Sequence, residues 1–225
     1  MRYQIVRAGA SRSFPSPHAF LEQASPGAEN VVYLGVDAGS GYTAGAGHAK
    51  CMFVAIELGT ECLGVHTGED QGQEGSNVVG FARFRLGTAE PSPLVELVRQ
   101  PATRPEAIEA AKAAFQAAGL TVAVCGDFPG RIVDRLIRPY FNAALRRLDE
   151  KLASARDLDK TLCLGLGYPE GPISLLERTG LADHFRVAQS LYEALGQEAY
   201  APARRAQVAA RRALSAPGDS RSHLR

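Results

Sequence analysis

The hydrophobic period of this chain changes near residue 127, and that change decides what it can fold into. Before it, apolar residues come in short runs among glycine-rich turns: Ile5–Val6, Val31–Val36, Met52–Leu58, Val78–Phe84 and Thr121–Val124. Several runs are continuous rather than alternating, the pattern of strands buried on both faces of a parallel sheet. Arg104–Ala118 lies between two of these runs. Pro105 suits a first helical turn, Ile108, Ala111 and Phe115 share a face, and Gly119 is a C-terminal stop. Strand, helix and strand at this spacing make a βαβ unit. Pro15 with Pro17, and Gly87 with Pro91 and Pro93, mark loops.

After residue 127 the period is helical. Ile132, Val133, Leu136, Ile137, Tyr140, Phe141, Ala144, Leu145, Leu148 and Leu152 form one wide apolar stripe, and Pro139 inside it is an expected kink. Ser154, with Asp157 three residues on, opens a second helix that Gly165 and Gly167 close. Pro172 begins a third helix, ended by Gly180. Asp183–Leu195 is a fourth, stopped by Gly196, and Ala203–Leu214 is an Ala- and Arg-rich last one. The expected architecture is an α/β domain over 1–126 with a mainly parallel sheet, an all-α domain over 127–214, and a basic flexible tail over 215–225.

Composition narrows the function classes. Hydrophobic residues make up 45% of the chain, and Lys+Arg 25 against Asp+Glu 24 leaves a formal charge of +1, which argues against disorder and against a nucleic-acid partner. No apolar run has the length of a membrane span, and the N-terminus has no continuous apolar segment of the secretory type. Cys51, Cys62, Cys125 and Cys163 form no C-x-x-C pair and have no His at metal-ligand spacing. A disulfide scaffold and a metal site are therefore not expected, and the cytoplasm is the expected compartment. Charge is uneven only at the end, where Arg204, Arg205, Arg211, Arg212, Arg221 and Arg225 stand against Asp219 alone. A solvated helix and tail account for that run.

Three motifs in the second half are recognisable. Asp127, Pro129, Gly130, Arg135, Pro139, Tyr140 and Asn142 fall in a D-x-P-G-x-x-x-N-R-x-x-x-P-Y-x-N pattern. Leu164, Gly165, Gly167, Pro169, Gly171 and Pro172 make an L-G-x-G-x-P-x-G-P turn, and Tyr200 and Pro202 a closing Y-x-P. Through these, Asp127 to about Pro202 resembles the C-terminal helical domain of the 3-hydroxyacyl-CoA dehydrogenases. The resemblance extends more faintly upstream through 93–124. It implies an N-terminal Rossmann-like domain, here shortened, that in the family binds NAD. It also implies a helical domain that covers an acyl-CoA thioester and mediates pairing, as a homodimer or with a paralogue.

In the family a His takes the hydroxyl proton while hydride leaves for the nicotinamide, a Glu orients the His, and Ser and Asn hold the substrate oxygen. Glu96, in Leu94–Leu97, matches the Glu. The His position falls on Ala82 when the strand motif is aligned, or on Phe84 when counted back from Glu96 without a gap; neither residue accepts a proton. The Asn position is Asp134, which as an anion has no hydrogen to donate. The Ser falls near Thr60–Glu61. No dinucleotide fingerprint follows the first strand; Gly39, Gly41 and Gly45, in the only multi-glycine loop, are the candidate cofactor-binding residues, with backbone N–H groups to cradle a phosphate but too few residues after them for a comfortable crossover helix. His48 and His66 are lone histidines on short loops.

The expected function is that of a 3-hydroxyacyl-CoA dehydrogenase-like protein of acyl-CoA, or fatty-acid, metabolism with impaired or absent NAD-dependent oxidation. The alternative is a non-catalytic acyl-CoA-binding or dimerisation partner of a complete dehydrogenase.

Overall fold

A computed structural model of the chain describes residues 1–45, 47–69 and 77–215. The basic tail expected at 215–225 lies, beyond Ser215, outside them. Contacts divide the chain into two units. The first holds Met1–Arg85 and Glu90–Val133; the second holds Leu86–Ala89 and the chain from Asp134 onward.

The first unit is an α/β domain of the Rossmann-like type. Its strands are β1 (Tyr3–Arg7), β2 (Asn30–Leu34), β3 (Val54–Glu57), β4 (Val78–Arg83), β5 (Leu94–Arg99) and β6 (Thr121–Gly126). Their spatial order equals their sequence order. β1 to β4 run parallel, β5 is antiparallel to β4, and β6 is parallel to β5. Every residue of β2, β3 and β4 is buried, as continuous apolar runs require.

Both sheet faces are covered. One carries Tyr3, Val32, Leu34, Phe53, Val79, Phe81, Val95 and Leu97 under α1 (Ala19–Glu22) and α4 (Pro105–Ala117), where the Phe20 and Phe115 rings stack at 4.5 Å. The other carries Val31, Tyr33, Val54, Ile56, Val78 and Val98 against α2 (Ala38–Ala44) and the short α3 (Gly64–Thr67). The β1-to-β2 and β2-to-β3 crossovers use opposite faces yet step in the same direction. They therefore have opposite hands, and one departs from the right-handed rule.

Two sequence expectations are corrected here. The segment read as a glycine loop folds in part as α2, because β2 ends at Leu34 and leaves room for a short crossover helix. Its glycines lower helix propensity but let bulky neighbours in: a Cβ on Gly39 would sit 2.1 Å from the His66 ring. The second correction is β5, which was not among the apolar runs. Glu96 interrupts its hydrophobic pattern, and the helix α4 follows β5 rather than β4.

The second unit is all-α: α5 (Val133–Asp149), α6 (Ala155–Leu166), α7 (Pro172–Thr179), α8 (Leu181–Leu195) and α9 (Arg204–Ser215). Pro139 lies inside α5. Ser154 caps α6 by accepting the Asp157 N–H, and Gly167 and Gly196 end α6 and α8 in the left-handed region. Phe141, Leu145, Ile173, Leu176, Ala203 and Ala206 form its core, with Leu86 packed against it. Among the described residues no helix is long and apolar enough to cross a membrane.

Candidate functional site

Glu96 stands opposite Ala82 on β4 and Ala123 on β6, so the three side chains share one face of the sheet. Phe84 lies past the last residue of β4. Glu96 is 3% exposed. Its Oε1 accepts the N–H groups of Ile132 and Val133, each at 2.8 Å. Two backbone donors at a helix start and a guanidinium thus face this buried carboxylate. The guanidinium is that of Arg131, whose Nε is 3.9 Å from Glu96 Oε2.

Arg131 is buried, with φ 51°, and donates from Nη2 to the Gly59 carbonyl. Its Nε and Nη1 have no hydrogen-bond partner among the described residues. The chain before it is stitched to the turn after β3. Asp127 accepts the N–H groups of Leu63 at 2.6 Å and Gly64 at 2.8 Å, and the Gly130 N–H donates to the Thr60 carbonyl at 2.9 Å. Cys125, on the face of Glu96, has its thiol pushed up to about 11 by burial and by the nearby Glu96 charge. It is no nucleophile at neutral pH. The cluster thus brings together the Glu96 carboxylate, the Arg131 guanidinium and, across from Glu96, the methyl group of Ala82.

Asp134 lies in the second unit. Its Oδ1 accepts from Arg138 Nε at 2.7 Å, one helical turn on. Arg138 is fully buried and its Nη1 meets His184 Nδ1 at 3.1 Å; His184 Nε2 meets Asn142 Oδ1 at 3.0 Å. Since Arg only donates, Nδ1 accepts and Nε2 carries the hydrogen. Burial, then the Arg138 charge, lowers the His184 pKa to about 3, so the ring is neutral. Asn142 Nδ2 donates to the Ala199 and Tyr200 carbonyls, tying α5 to the turn that follows α8. Asp134 is thus the acidic end of a buried polar chain. The sequence reading named neither Arg138 nor His184; the Asp134-to-Arg138 spacing of four on a helix is the signal for the first.

The remaining candidates are dispersed. Gly39 and Gly41 lie within α2, and Gly45 is its C-cap. His48 Nε2 meets the Tyr33 hydroxyl at 2.8 Å, and its ring stacks on Tyr42 at 5.1 Å. His66 Nε2 is 3.6 Å from Glu61 Oε1. Among the described residues no group of three or more His, Cys, Asp or Glu is placed to hold a metal.

A dinucleotide needs a glycine turn after the first strand that opens a helix aimed at its diphosphate. Here residues 8–18 separate β1 from the short α1, whose start is capped by His18. The backbone after β1 is bonded to the turn after β2: Val36 N–H to the Ala10 carbonyl at 3.0 Å and Asp37 N–H to that of Ala8 at 2.9 Å. A Cβ on Gly35 would lie 2.3 Å from the Ala8 carbonyl oxygen. The two turns touch, and the residues present do not fit a dinucleotide there.

Residues 130–218 match the family model of the 3-hydroxyacyl-CoA dehydrogenase C-terminal domain. A 3-hydroxybutyryl-CoA dehydrogenase of Bradyrhizobium diazoefficiens is 37% identical over 109 residues, 48% of this chain and 37% of the relative. The human mitochondrial hydroxyacyl-coenzyme A dehydrogenase is 40% identical over 88 residues, 39% of this chain and 28% of the relative. The aligned stretch thus spans well under half the length of these curated relatives. Among solved structures, a 3-hydroxybutyryl-CoA dehydrogenase from Escherichia coli superposes with TM-score 0.67 at 24% identity, covering 81% of this chain and 39% of that one. Fold and comparisons together define a two-domain protein with a Rossmann-like domain followed by a helical domain. Within that class, residues 130–218 are similar to the C-terminal domain of the 3-hydroxyacyl-CoA dehydrogenases.

Proposed function

We propose that this chain is a dehydrogenase-like protein of acyl-CoA, or fatty-acid, metabolism that recognises a 3-hydroxyacyl or 3-oxoacyl thioester without oxidising it. The observation that carries this reading is Ala82 opposite Glu96. Ala82 offers Glu96 no imidazole to orient, and Glu96 Oε1 is held by two backbone N–H groups. Loss of the base removes roughly 10²–10⁴-fold of rate. The tight packing of the turns after β1 and β2 argues against NAD as hydride acceptor. What supports thioester recognition is the match of residues 130–218 to the C-terminal domain of the 3-hydroxyacyl-CoA dehydrogenases.

Pairing through the helical domain, with a second copy or a complete paralogue, is the companion reading. Leu136, Leu164 and Leu166 are 73%, 77% and 63% exposed, large apolar side chains of the kind that interfaces cover.

Calorimetric titration with NAD, NADH and acetoacetyl-CoA, each alone, tests the proposal. Heat with the thioester only is expected. Micromolar NADH binding with NADH production from 3-hydroxybutyryl-CoA would overturn it, and a strict monomer at micromolar concentration would remove self-pairing.

A further inference from the structure

The carboxyl ends of three neighbouring strands converge on one side chain. Glu57, the last residue of β3, is 5% exposed. Its Oε1 accepts the Ser13 N–H at 2.7 Å and the Ser11 hydroxyl at 3.0 Å; its Oε2 accepts the Gly35 N–H at 2.7 Å. Ser11 and Ser13 follow β1, and Gly35 follows β2. Arg83, at the end of β4, fixes the same segment, its N–H donating to Ser13 Oγ at 3.2 Å and its Nη1 to the Ser13 carbonyl at 2.8 Å.

Strand carboxyl ends are where open α/β sheets hold ligands, and converging backbone N–H groups form anion cradles. In this chain the cradle is filled from within. We propose that Glu57 is a built-in anion that takes the place of a bound diphosphate, ordering the turns after β1 and β2 so that the first unit closes without a dinucleotide. An incoming diphosphate meets a like charge and donors already engaged. Truncating Glu57 to Ala removes a CH2–COO fragment, and acetate is its free counterpart. The emptied cradle therefore binds a small carboxylate. This goes beyond thioester recognition and does not depend on it.

Thermal unfolding of the full chain tests the inference. Glu57→Ala leaves two buried N–H groups without an acceptor, so its Tm is expected to fall by roughly 5–10 °C. Sodium acetate should recover part of that loss where sodium chloride at equal ionic strength does not. Glu57→Gln, which keeps the volume but turns an N–H toward a donor, should also lower the Tm and serves if the alanine variant does not fold. NADH should leave the Tm of the unmodified chain unchanged. Unaltered Tm in both variants, equal effects of acetate and chloride on Glu57→Ala, or stabilisation of the unmodified chain by NADH would each overturn the inference. Acetoacetyl-CoA binding, measured alongside, reports on the proposed function separately.

Discussion

Ala82 and Glu96 face each other across the antiparallel β4–β5 pair, and the carboxylate of Glu96 holds the Ile132 and Val133 N–H groups. The Glu96 carboxylate is thus tied to the backbone at the start of α5. That relationship turns a question about catalysis into one about folding.

Restoring the lost groups should not restore turnover. Ala82→His with Asp134→Asn puts an imidazole opposite Glu96 and an amide beside Arg138. The buried Ala82 site makes the first change cost about 1–3 kcal/mol by overpacking. NADH formation from 3-hydroxybutyryl-CoA is expected to stay at background, since the nucleotide has no seat. A rise of two orders of magnitude would show that it has one.

Glu96 should matter for stability. Glu96→Ala strips two backbone N–H groups of their acceptor and leaves the Arg131 guanidinium without its nearest carboxylate. Roughly 3 kcal/mol is the expected loss, with Glu96→Gln losing less because one acceptor oxygen remains. Urea unfolding of the three proteins measures it; equal midpoints would contradict the assigned role.

His184 makes the second unit acid-sensitive. Its imidazole titrates near 6.5 when unfolded but at about 3 when folded, so between these values the unfolded chain binds the extra proton. Stability therefore falls as pH falls through that window, by at most about 1.4 kcal/mol per pH unit. Arg138 and Asp183 are the charges acting on the ring, the first lowering its pKa and the second raising it. His184→Gln should flatten the dependence, and unfolding midpoints compared at about pH 7 and about pH 4.5 decide the matter.

The turn before α7 leaves no room for a methyl group. A Cβ on Gly171 would fall 2.2 Å from Asp159 Cβ and Cγ, while Asp159 accepts the Ile173 and Ser174 N–H groups, both at 2.9 Å. Gly171→Ala should cost roughly 1–3 kcal/mol. Combined with Asp159→Gly, the loss should be smaller than the sum of the two single losses, because the second change removes both carbons that the methyl group meets. Strict additivity in a double-mutant cycle would rule out the contact.

Much of the helical unit was legible because its signals are local. Ser154, Gly167, Pro172 and Gly196 act within a few residues of where they stand, and each marks the helix end expected of it. The strands were legible where burial on both faces made them continuous. β5 was not, because Glu96 breaks its apolar run and only its distant N–H partners explain a carboxylate there. The helix α2 was hidden by its glycines, whose use is to admit side chains from elsewhere in the chain.

The sequence by itself therefore determined the two-domain class, the helix ends, and the absence of a proton acceptor at residues 82 and 84. Those follow from periodicity, local capping and side-chain chemistry. Only the tertiary structure decided that Ala82 faces Glu96, that Asp134 ends a buried chain through Arg138 to His184, and that Glu57 fills the cradle at the strand ends. Hydrogen bonds between residues tens of positions apart leave no period in a sequence, because what selects them is the cost of burying a polar group alone.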